Sequence, residues 1–207
     1  MSHPLTPQWA WDELAAGNAR FVANSPRHPN QDAQRRHILE AGQTPSAIFF
    51  GCADSRVAAE IIFDQGLGDL FVVRTAGHVV DNAVLGSIEF AVSVLGVPLI
   101  VVLGHDSCGA LKATMDAVLT GDVPPGYLRD IVERITPSVM TARKDGASTL
   151  EELEAEHVRN TTQLLNERSV VVHEAIAAGK LAIVGATYDL GEGRATVATT
   201  VGELSTG

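Results

Sequence analysis

Four short, nearly unbroken apolar runs punctuate the chain, at Ala47–Gly51, Leu70–Val73, Leu99–Leu103 and Leu181–Gly185. Runs of this length predict strands covered on both faces, the pattern of a parallel sheet. Around them apolar positions recur at helical spacing. Thr6 can cap a helix opening at Pro7, on which Trp11, Leu14, Ala15, Phe21 and Val22 fall near one face. This predicts an N-terminal helical arm over about residues 7–25. A polar stretch broken by Pro26 and Pro29 follows, with a short helix around Gln34–Glu40. Further helices are predicted over Asn82–Leu95, from Cys108 to just before Gly121, and as one long element from Thr149 to Ala178 closed by Gly179. The acidic run Glu151–Glu156 reads as the solvated first turns of that element. Pro124-Pro125-Gly126 marks a loop and Gly191-x-Gly193 a turn. No repeat or linker divides the chain. The order of elements predicts one α/β domain over residues 1–207, built from right-handed βαβ crossovers.

The first three apolar runs each lead into a polar segment. These are Cys52-Ala53-Asp54-Ser55-Arg56, Arg74-Thr75-Ala76-Gly77-His78 and Gly104-His105-Asp106-Ser107-Cys108-Gly109. Parallel strands would gather all three at one sheet edge, where open α/β sheets bind their ligands.

Composition narrows the picture. With 207 residues, 45% of them hydrophobic, the chain can bury one substantial core. A net charge of -10 disfavours nucleic acid and anionic membranes as partners, since both need a basic footprint. No run reaches the roughly 18 apolar residues a membrane span requires. Met1 to Trp11 has neither the basic patch nor the apolar core of a secretion signal, so a cytoplasmic location is expected. Only Cys52 and Cys108 are cysteines, too few for a secreted disulfide framework. Buried inert thiols are the default, but their neighbours argue otherwise.

His105-x-x-Cys108 opens a predicted helix, and Cys52 arrives from another strand end. One imidazole and two thiolates suit tetrahedral Zn²⁺, and three protein ligands leave the fourth position for water. The two thiolates neutralise the ion, so it draws less charge from its water than a three-histidine site would. Arg56 is the nearest compensating charge, and activity is expected to rise from neutral into mildly alkaline pH. Asp54 and Arg56, two residues apart, leave an extended turn on a similar side. A carboxylate there can orient the metal's hydroxide, while the guanidinium keeps it off the metal. If that pair breaks, Asp54 itself becomes a fourth ligand and closes the site.

The segments C-A-D-S-R at Cys52–Arg56 and H-D-S-C-G-A at His105–Ala110 resemble the two signatures of β-class carbonic anhydrases. The resemblance extends through Arg74–Gly77, Gly86–Glu89 and Tyr188, and covers roughly Pro7 to Tyr188. It implies a central, mainly parallel sheet flanked by helices, with the arm wrapping a partner in a homodimer or a dimer of dimers. The implied reaction is reversible hydration of carbon dioxide to bicarbonate and a proton by zinc-bound hydroxide, with Asp54 and Arg56 catalytic. Gln43, Phe71, Phe90 and Gly109 resemble substrate-pocket residues, and the phenylalanines are equally well explained as core. Arg74 and Tyr188 match two positions of a second, regulatory bicarbonate site, but Phe49 stands where that site has Trp. His78 is read as a surface or interface residue rather than a proton shuttle, and His28, His37 and His157 as solvated. Two rival functions are hydrolysis of carbonyl sulfide or carbon disulfide on the same scaffold, and a zinc- and bicarbonate-binding regulatory module without turnover.

Overall fold

Each apolar run forms a strand in the computed structural model, which describes residues 5–206; residues 1–4, part of the segment read for a secretion signal, lie outside it, as does residue 207. The strands are β1 (Ala47–Cys52), β2 (Leu70–Thr75), β3 (Leu99–His105) and β4 (Ala182–Tyr188). With β5 (Ala195–Val201) they make one five-stranded sheet in the order β2-β1-β3-β4-β5. All neighbouring pairs are parallel except β4 with β5. β1 and β3 are buried at every position, whereas β2 at the edge is only partly covered.

Alternation along the strands builds two cores. Phe49, Leu99, Val101 and Leu103 face Trp11 and Leu14 of helix α1 (Pro7–Val22). Ile48, Phe50, Ile100 and Val102 face Ile88 of α4 (Asn82–Ser93), and Leu165 and Val172 from later helices. Burying each large aliphatic side chain contributes roughly 1.5–3 kcal/mol. Thr6 caps α1 as the sequence predicts, its hydroxyl accepting from the Trp9 N–H at 3.2 Å. Helix α2 (Ala33–Leu39) is capped by Asp32, and the short α3 (Ala59–Ile62) follows β1. The arm is fastened to the body by Arg20, whose Nε lies 2.6 Å from Asp64. Asp64 also accepts from the backbone N–H groups of Arg27 and His28.

Helix α5 (Gly109–Thr120) ends on Gly121 in the left-handed region, as its sequence suggests. The next helix, α6 (Leu128–Lys144), has no counterpart in the sequence reading, which stops at the Pro-Pro-Gly loop. It forms despite Pro137 because Val132, Ile135, Val139 and Ala142, spaced three or four apart, bury one face. The single helix expected over Thr149–Ala178 is instead two, α7 (Leu150–Arg168) and α8 (Val170–Ala177). Ser169 between them is extended, at φ -106 and ψ 111, and its hydroxyl caps α8 at Val172. That hydroxyl also donates to Glu89 at 2.7 Å, so two side-chain bonds favour the break over a continuous helix.

Candidate metal centre

β1 ends on Cys52 and β3 on His105, and Cys108 follows at the N-cap of α5. The register sets Gly51 beside Leu103 and Cys52 beside Thr75, so the polar strand ends meet at one edge. Ser107, at φ 55, supplies the left-handed turn between His105 and Cys108. The two sulfurs and a His105 ring nitrogen thereby lie within 4.8 Å of one another, all three residues being buried.

The imidazole is prepared for a metal. Its Nδ1 lies 2.8 Å from the Asp106 carbonyl oxygen, which can only accept, so Nδ1 carries the proton and Nε2 offers its lone pair. Among the described residues that buried Nε2 has no hydrogen-bond partner, a costly state that a cation removes. Hydrogen bonds from Cys108 above all, and from the Gly77 N–H, draw the Cys52 thiol down to about 4 against the opposing effect of burial. Cys108, bonded to that sulfur and buried, is pushed up. Without a cation the pair thus keeps one proton; both sulfurs ionise only with a cation between them, and two thiolates with one imidazole fit zinc.

Arg56 grips Asp54 at both oxygens, Nε to Oδ1 at 2.9 Å and Nη2 to Oδ2 at 2.7 Å. The Arg56 backbone N–H adds a third bond to Oδ1 at 2.9 Å. The guanidinium bond above all holds Asp54 well below the usual carboxylate range, so it stays ionised and acceptor-only. The pair is partly exposed and adds little stability; what it fixes is orientation. Asp54 Oδ2 stands 3.8 Å from His105 Nε2, beside the cluster. Arg74 on β2 donates to the carbonyls of Cys52 and Asp54, tying the loop to the sheet.

Comparison with known proteins decides the family. The family profile described as carbonic anhydrase matches residues 47–195. The chain is 60% identical over 198 residues to a carbonic anhydrase of Mycolicibacterium smegmatis, covering 96% of each. Carbonic anhydrase 2 of Mycobacterium tuberculosis is likewise 60% identical, with 96% of each chain covered. Among solved structures, the β-carbonic anhydrase CafA of Aspergillus fumigatus superposes with a TM-score of 0.71 at 27% identity, covering 89% of each chain.

This chain belongs to the β-class carbonic anhydrase family. All the relatives just described carry the carbonic anhydrase name, which favours hydration of carbon dioxide over the two rival functions. β-Carbonic anhydrases use zinc, and the Cys52, His105 and Cys108 cluster is able to bind a metal ion. No helix among the described residues is long and apolar enough to cross a membrane.

The other residues singled out in the sequence fall in different places. Gly109 opens α5, exposed and next to Cys108. Gln43 is exposed between α2 and β1. Phe71 pairs with Ile48, four residues before Cys52, so it lies about 13 Å back along the sheet from Cys52. Its ring is 6.3 Å from that of Phe90, which is 45% exposed. Phe49 is buried edge-on to Phe63, and the Arg74 guanidinium is engaged by backbone carbonyls.

Three buried residues of this β-carbonic anhydrase differ from the sequence reading. The solvated reading fits Glu151 and Glu152 but not Glu154, which is 2% exposed. Glu154 Oε1 accepts the backbone N–H of His105 at 3.0 Å, and burial pushes its carboxyl up to about 8. Only glycine fits at Gly104, because a Cβ there would collide with the Glu154 carboxylate. His157 is buried rather than solvated, bonded to Ser138 and Gly77. His78 is wholly buried, not a surface residue, with its ring 4.3 Å from that of His157. The signal available was periodic: Glu154, His157, Val158, Thr161 and Leu165 lie three or four apart along one stripe of α7.

Proposed function

We infer that this β-carbonic anhydrase interconverts carbon dioxide and bicarbonate with Asp54 and Arg56 as its working side chains beside zinc. The observation that carries the reading is the buried, unpartnered Nε2 of His105 facing two cysteine sulfurs, with an ionised carboxylate at its side. Zinc bound there supplies a Lewis acid that makes water nucleophilic near neutral pH. Asp54, acceptor-only, takes a hydrogen bond from the attacking water and orients it toward the substrate carbon. Arg56 keeps that carboxylate ionised and turned away from the sulfurs, and release of this grip would let Asp54 close the site.

Gly109 at the exposed start of α5 would border the substrate on the same chain. Gln43, Phe71 and Phe90 would line a substrate pocket across an interface, since Phe71 stands well back from its own ligands and its partner Phe90 is exposed. That reading entails self-association, as a homodimer or a dimer of dimers; related fungal enzymes are described as tetrameric. A cytoplasmic location belongs to the same proposal, because metal-binding thiols are kept reduced there. No nucleic acid or membrane partner is part of it.

Stopped-flow carbon dioxide hydration across pH tests the proposal. Two thiolates leave the metal less acidic than three imidazoles would, so the rate should climb from neutral to mildly alkaline pH. A flat profile from mildly acidic pH upward, or turnover of carbonyl sulfide without hydration of carbon dioxide, would overturn it.

A further inference from the structure

Behind the metal ligands runs a chain of hydrogen bonds whose donors all point the same way. It starts at a cavity of about 270 Å³ bordered by Arg134, Ser138, His157 and Asn160. Asn160 Nδ2 donates to Ser138 Oγ at 2.9 Å. Ser138 Oγ lies 2.8 Å from His157 Nδ1, and His157 Nε2 lies 2.8 Å from the Gly77 carbonyl oxygen. The Gly77 N–H in turn donates to Cys52 Sγ at 3.3 Å.

The directions follow from chemistry. A carbonyl only accepts, so the imidazole proton sits on Nε2. Burial pushes His157 down to about 4, so at neutral pH it carries one proton and Nδ1 must accept from the Ser138 hydroxyl. Donors aligned in series polarise one another. Gly77 is the joint that carries the effect onward. It sits at φ 61 and ψ 26, and a Cβ there would lie 2.7 Å from Ile135 and 2.8 Å from Ala110. Only glycine fits this conformation and packing, and through its backbone, holding the carbonyl at one end steers the N–H at the other.

We propose that His157 is a positioning residue for the zinc site: ordered by Ser138 and Asn160, it pins the Gly77 carbonyl so that the Gly77 N–H is held on the Cys52 sulfur. The bond fixes where that sulfur sits and withdraws charge from it. The residue spacing supports the assignment. Glu154 and His157, three apart on α7, each fasten the backbone of a different segment of the centre, at His105 and at Gly77. One helix face thus braces both sides of the ligand set, from behind and without touching substrate.

The proposal rests on the zinc reading above, so every variant is compared with wild type loaded in the same way. Zinc affinity is read by competition with a chromophoric chelator, and the sulfur bond by the sulfur-to-cobalt charge-transfer band of the Co²⁺-substituted protein. His157→Phe keeps a ring against His78 but loses the donor; outer-shell losses of this kind weaken metal binding about tenfold or more. We expect that loss, with the band moved to lower energy because the sulfur is richer in charge. His157→Gln, whose amide reaches the same carbonyl, should restore most of both. Asn160→Ala, at the partly exposed end, should shift the band less but in the same direction. Wild-type affinity and band in His157→Phe would overturn the proposal, as would equal losses in the Phe and Gln variants. If His157→Phe does not fold, an unchanged band in both Asn160→Ala and Ser138→Ala overturns it instead. A wild-type protein that binds no zinc would sink the zinc reading itself, a separate outcome.

Discussion

What equips the Cys52, His105 and Cys108 cluster for a metal is the tautomer of one ring and the charge of two sulfurs. His105 is locked with its proton on Nδ1 by the Asp106 carbonyl, so Nε2 faces the thiols before any metal arrives. Asp54 follows a parallel logic, locked as an acceptor by Arg56. Asp54→Asn should therefore keep zinc but lose hydration by at least about a hundredfold, the scale of a proton-handling group. Metal analysis and stopped-flow rates on one preparation check this; full activity would show that the carboxylate has no such role. Glu154 supports a different prediction. Glu154→Gln keeps an acceptor for the His105 N–H and should remain as stable as wild type. Glu154→Ala leaves that buried N–H unsatisfied and should cost about 1–3 kcal/mol in denaturant melts. The clustering of Cys52, His105 and Cys108 was legible because two compact motifs stood at strand ends. Glu154 and His157 were not, because a charged residue in an acidic run reads as solvated unless its place on the apolar stripe is counted.

Among the elements, the strands were readable and the later helices less so. Continuous apolar runs mark β1 to β4, whereas β5 alternates Val with Thr and Ala at a partly covered edge and offers no such run. Pro137 conceals α6, whose buried face outweighs the one backbone bond proline cannot make. The division of α7 from α8 depends on Ser169, a single residue in an otherwise helical stretch. Its hydroxyl caps α8 and joins Glu89 of α4, so Ser169→Ala should cost about 1 kcal/mol or somewhat more. A thermal melt indistinguishable from wild type would mean that packing alone sets the break.

At the scale of the molecule, the arm and the sheet are joined through buried Asp64. Burial alone would raise its pKa, but the N–H groups of Arg27 and His28 together with Arg20 more than offset this and hold it below the ordinary range. A carboxylate with a depressed folded pKa contributes stability above its unfolded value of about 3.9, and that contribution is lost as pH falls through the folded value. Asp64→Asn should thus be less stable than wild type in urea at pH 7, with the gap closing below about pH 4. A gap that persists unchanged in acid would remove the charge from the explanation. The whole account stands on one claim, that Cys52, His105 and Cys108 hold the zinc with which this β-carbonic anhydrase hydrates carbon dioxide. The most direct test measures zinc content and carbon dioxide hydration together, in wild type and Cys108→Ser. The account predicts about one zinc per chain with hydration in the wild type, and loss of both in the variant. Zinc retained at wild-type stoichiometry in Cys108→Ser, or hydration by wild-type protein stripped of zinc, would contradict it.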